Sequence, residues 1–112
     1  MKSEWEDIGV IGVDAGVCWI GDPCYFVGFE DKKTQLERSG ITDWYKFCEK
    51  IESSAAIAKQ FNYPAGHPGL GVCASTGYGD GTYTVQARFV NVDNWGRRIA
   101  EIRVVFIEDD EI

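Results

Sequence analysis

The sequence predicts a single-domain α+β fold over residues 1–112: a mainly antiparallel sheet, arranged as a sandwich or flattened barrel, with one main α-helix at about 43–61. Three observations carry this. Residues 82–91 and 98–107 alternate apolar and polar side chains about the turn Asp93-Asn94-Trp95-Gly96, the pattern of half-buried antiparallel strands. Residues 43–61 instead space their apolar side chains by three and four, as one face of a helix requires. No repeat, low-complexity linker or composition break divides the 112 residues, a length that forms one core.

The elements follow in order. Residues 8–13 (IGVIGV) and 17–20 (VCWI) are β-rich runs separated by Asp14-Ala15-Gly16. A three-residue connection ending in Gly suits a hairpin with that Gly left-handed. Gly21-Asp22-Pro23-Cys24 then stops the second strand, because proline cannot donate to a ladder. Residues 25–29 (YFVGF) are compatible with a further strand, and 30–41 have the polarity of a loop. In the helix, Trp44, Phe47, Cys48, Ile51, Ala55 and Ala58 form the apolar stripe, while Lys46, Glu49, Lys50, Glu52 and Ser53 take the wet face. Thr42 is placed to cap its start, Asp43 complements the helix dipole, and Asn62 and Pro64 end it. Residues 70–75 (LGVCAS) form a strand, followed by the glycine-punctuated bend Thr76–Gly81. Along 82–91, Tyr83, Val85, Ala87 and Phe89 share the buried face. In 98–107, Ala100, Ile102, Val104 and Phe106 share one face, and Val105 and Ile107 load the other.

Charge excludes one class of function. Eleven Lys/Arg stand against eighteen Asp/Glu, a net charge of −7. Most of the excess lies in the acidic ends, 1–7 and 108–112, so no basic field exists for direct contact with nucleic acid. An acidic end is ordinarily a solvated one. The sharper alternative is an acidic mimic of nucleic acid that blocks a partner's basic groove. No apolar run reaches membrane-spanning length, and MKSEWEDIG lacks the pattern of a secretory signal. Cys18, Cys24, Cys48 and Cys73 form no CxxC pair, so reduced thiols in the cytoplasm are expected.

Two segments carry a resemblance. Gly12-Val13-Asp14-Ala15-Gly16 is followed by Gly21-Asp22-Pro23-Cys24-Tyr25, and Ser75-Thr76-Gly77-Tyr78-Gly79-Asp80-Gly81-Thr82-Tyr83 leads into two closing strands. Over roughly residues 10–26 and 70–107 the chain resembles the DUF4241-type domain of unknown function and related small proteins of bacteria and their phages. It departs from that pattern at Thr84-Val85, where a Pro-Val step is usual, and in being shorter. The resemblance implies a fold and a family; it carries no reaction and no catalytic residues. A host-factor inhibitor, or a protein that sequesters a small signal molecule, is the kind of activity it implies.

The candidate binding residues are Asp22, Cys24, Tyr25, Thr76, Tyr78, Asp80 and Tyr83, on the two bends Gly21–Tyr25 and Thr76–Tyr83. Exposed rings beside a glycine loop stack on flat groups. Asp14 and Asp22 flank one short strand, roughly 15–20 Å apart at strand rise, and do not share an ion. Asp22 and Asp80 form a pair only if their bends meet at one rim. Each also has an ordinary role, capping its own turn. The glycines lack the Lys and helix of a phosphate loop. A small hydrolase using Asp22 and Asp80, with a divalent ion or with Cys24 and His67, is the alternative. The preferred expectation is a non-catalytic binding protein with no cofactor and no metal, taking a protein partner or small polar ligand, and free to self-associate through sheet edges.

Overall fold

The computed structural model describes residues 4–28, 32–52 and 57–112. Its strands are β1 (Trp5–Val13), β2 (Val17–Ile20), β3 (Ala58–Asn62), β4 (Pro68–Ser75), β5 (Gly81–Val92) and β6 (Gly96–Val104). Its helices are α1 (Gln35–Arg38) and α2 (Trp44–Glu52), with 3-10 turns at Pro23–Tyr25 and Asp109–Glu111. The strands form two open antiparallel sheets, ordered β1-β5-β6 and β2-β4-β3, and neither closes into a barrel. The expected class, α+β with antiparallel sheet and one main helix, is therefore what the chain adopts. Backbone contacts group the residues into two compact units. Unit 1 is Met1–Gly16 with Thr76–Ile112, and unit 2 is the intervening Val17–Ser75.

Unit 1 is the three-stranded sheet β1-β5-β6. Its register places Tyr83, Val85, Ala87 and Phe89 of β5 on one face beside Ile11 of β1 and Ile99, Ile102 and Val104 of β6. On this face Ala87 and Val13 are buried, while Ile99 and Ile102 stay more than half exposed. The other face is laced with polar pairs. Arg88 meets Glu101 at 2.6 Å, Gln86 bridges Asp7 and Arg103, and the Arg103 guanidinium lies 4.2 Å from the Trp5 ring centroid. The turn after β5 needs left-handed backbone, supplied by Asn94 (φ 69°) and Gly96 (φ 76°).

Unit 2 packs α2 against the sheet β2-β4-β3. Phe47 of α2 stacks on Phe61 of β3 with centroids 5.2 Å apart, and Trp19 of β2 tilts onto both rings. Ile41, Phe61, Leu70 and Cys73 are the buried centre, with Val17, Leu36, Ile51 and Tyr63 against it. The Trp19 indole lies flat over Gly71, where any Cβ would overlap the ring. Cys18, Cys24, Cys48 and Cys73 are all free thiols.

Several expectations are corrected. The runs 8–13 and 17–20 are not a hairpin. β1 is nine residues long and pairs with the twelve-residue β5, whereas the four-residue β2 joins β4 in the other sheet. Residues 25–28 do not resume a strand, because the Phe26 and Val27 N–H groups donate to the Pro23 carbonyl and leave none for a ladder. Phe29 lies outside the described residues. Within 32–41, a capping box between Thr34 and Glu37 winds α1 where a loop was expected. Asp43, not Thr42, caps α2, accepting the Lys46 N–H at 2.9 Å. The helix does not run to 61: residues 58–62 are β3, paired with β4. Ser53 and Ala55 lie outside the described residues. The last strand ends at Val104 rather than 107, and Phe106 turns edge-on to Tyr83.

Candidate functional site

The bend Thr76–Gly81 is built by its own hydrogen bonds. Gly77 and Gly79 take left-handed backbone (φ 71° and 107°), which lets the chain fold tightly enough for Thr76 to reach Gly79. The Thr76 hydroxyl donates to the Gly79 carbonyl at 2.6 Å, and its N–H donates to the Gly16 carbonyl at 3.1 Å. The Tyr83 hydroxyl donates to the Gly79 carbonyl at 2.7 Å and lies 3.2 Å from that of Thr76. Thr76 is fully buried, so it shapes the loop and offers nothing to solvent. Tyr78 at the tip is 73% exposed.

Beside this loop, entirely within unit 1, lies an open cleft of about 610 Å³. Tyr78, Tyr83 and Phe106 supply its rings, Thr82, Thr84 and Gln86 its neutral polar groups, and Asp7, Asp80, Glu108 and Glu111 its carboxylates. Among the described residues, no Lys or Arg lines it. Phe106 and Ile107 pack against Gly77, and the Glu108 N–H donates to Glu111 at 3.0 Å, so the acidic end is folded along the cleft. Of the candidate residues, Tyr78, Asp80 and Tyr83 meet here, with Thr76 behind them. The contributions of Asp7, Phe106, Glu108 and Glu111 were not expected. The available signal was the apolar pair Phe106-Ile107 just before the acidic end, which anchors it.

The other candidates, Asp22, Cys24 and Tyr25, belong to unit 2. Asp22 caps the 3-10 turn, accepting the Cys24 N–H at 2.9 Å, and that bond holds its carboxyl below the usual range. The hydrogen bond to Asp22, then burial, pushes the Cys24 thiol up, which keeps it protonated and a weak nucleophile. The Tyr25 and Tyr63 hydroxyls share a hydrogen bond, and their rings meet edge-on at 5.3 Å. That bond, with burial behind it, pushes Tyr25 up to about 12. His67 is exposed; its carbonyl accepts the Tyr63 N–H at 2.6 Å. Asp22 and Asp80 thus sit in different units, each on its own turn.

Comparison with known proteins returns no relative. No family model matches the chain, and neither a curated protein nor a solved structure does. The DUF4241-type resemblance accordingly rests on its two quoted segments alone. Among the described residues, no three His, Cys, Asp or Glu side chains converge to hold a metal ion. No helix among the described residues is long and apolar enough to cross a membrane.

Proposed function

We propose that this chain is a non-catalytic binding protein, and that the unit 1 cleft receives a basic segment of a protein partner. The observation that carries this is the described lining: three aromatic residues, four carboxylates and, among the described residues, no Lys or Arg. A guanidinium or ammonium group gains from both components, through attraction to the rim charges and through contact with a ring face. In its narrower form, which draws on the DUF4241-type resemblance, the partner is a host protein and the chain is its inhibitor in the cytoplasm. The turn-capping role of Asp22 supports binding over hydrolysis.

Calorimetric titration with an arginine-containing peptide and a charge-neutral peptide of the same length tests this. The basic peptide binds, and Asp80→Asn and Tyr78→Ala each weaken it about tenfold. Raising salt weakens it further. Equal binding of the two peptides, or no effect of either substitution, would remove the cleft as the site. Peptide cleavage abolished by Asp80→Asn would replace this reading with the hydrolase.

A further inference from the structure

Unit 2 holds a second cleft, of opposite character. It encloses about 370 Å³ between the end of α1, one side of α2 and β3. Arg38, Lys50 and Lys59 line it, one from each element, and its described lining contains no Asp or Glu. Unit 2 as a whole has seven Asp/Glu against six Lys/Arg, so half of its cations line this one depression. The nearby Glu37 is engaged in the α1 capping box, where its carboxylate accepts the Thr34 N–H at 3.1 Å. The floor is apolar: Ile41 and Phe61 are buried beneath it, and Tyr63 and Pro64 form one end. Register puts Lys59 on the same sheet face as Phe61, next to the helix, so its long stem follows the apolar floor.

We propose that this cleft is an anion site for a phosphorylated small molecule. The Arg38 guanidinium and the Lys59 ammonium, reaching the cleft from two elements, match a group with two or more negative charges, and the Arg38 fork suits phosphate oxygens. The apolar floor suits a flat organic moiety attached to that phosphate. Its volume lies at the lower end of the range for small-ligand clefts, which is too confined for a nucleic-acid strand. The chain's net charge of −7 works against a polyanion in any case. All of its lining residues belong to unit 2.

The test is calorimetric titration of the whole chain at low salt with two probes, pyrophosphate and ADP. Both carry the phosphate chemistry, and only ADP carries a ring for the floor. At least one probe binds with a Kd below about 1 mM. Lys59→Gln and Arg38→Gln each weaken it about tenfold, while Lys59→Arg retains it. Asp93→Asn, on the exposed turn after β5 in the other unit, leaves it unchanged. Tighter ADP than pyrophosphate assigns the floor to a nucleobase-like ring; equal affinities assign the site to the phosphates alone. Failure of both probes to bind at about 5 mM overturns the proposal. So does unaltered binding by the double variant Arg38→Gln/Lys59→Gln, with circular dichroism confirming its fold.

Discussion

The two units are held together by different physics. Unit 2 buries a cluster of rings between a helix and a sheet: Phe47 on Phe61, with Trp19 across both. Unit 1 leaves Val10, Trp95, Ile99 and Ile102 exposed, and ties its strands with charged and polar side chains across their faces. Burial of apolar area is worth far more than exposed ion pairs. Unit 2 should therefore tolerate core changes poorly and surface changes well. Unit 1 should respond weakly to either, except at the few places where its backbone is locked. Their charges differ too, since unit 1 has eleven Asp/Glu against five Lys/Arg.

The largest expected effect is in the unit 2 core. Phe47→Ala removes a ring stacked on Phe61 and should cost about 3 kcal/mol in urea unfolding. Ile102→Ala, more than half exposed on the unit 1 sheet, should change stability by less than about 0.5 kcal/mol. Comparable losses from both would erase the distinction between the units. Next comes Gly71→Ala. The added methyl overlaps the Trp19 indole, and about 2 kcal/mol should be lost, with altered near-ultraviolet dichroism.

Tyr83→Phe tests a locked point of unit 1. It deletes the donor to the Gly79 carbonyl and should cost about 1 kcal/mol, with faster amide exchange in Thr76–Gly81. Arg97→Gln breaks a 2.6 Å ion pair with Glu6 and a stack over Phe89, and both charged side chains are more than half exposed. Its effect should stay below about 1 kcal/mol and shrink in high salt.

The last effect is confined to alkaline pH. Tyr25 is pushed up to about 12 in the folded chain, above its ordinary value of about 10 when unfolded. The folded state then holds the proton more tightly, so this contribution is complete below about pH 10 and disappears as pH rises toward 12. Ultraviolet titration of Tyr63→Phe should show the late-ionising phenol return toward its ordinary value.

Strand alternation made much of the β5–β6 hairpin legible, because a period of two with one wet face fits a half-buried strand and no helix. The helix start was equally clear from Trp44, Phe47, Cys48 and Ile51. Its end was not. Ala55 and Ala58 continue the helical spacing, but alanine fits a strand as well, and Phe61 is buried by pairing with Gly71 of β4. Pairing partners distant in sequence leave no local trace, which is why the sequence suggests β2 rather than β5 as the partner of β1. The glycine loop around Tyr78 and Asp80 was visible as turn chemistry. The rest of the unit 1 cleft was hidden because Asp7, Phe106 and Glu108 approach it only through tertiary structure.

Unit 2 is an insertion in the sequence of unit 1. The Gly16 carbonyl and the Thr76 N–H are hydrogen-bonded, so 59 residues leave and return at a single point beside the end of β1. A ribosome completes that whole excursion before it makes the strand that β1 pairs with. During synthesis β1 therefore waits unpaired, and folding of the intervening piece would shorten the search for its mate by drawing the two flanks together.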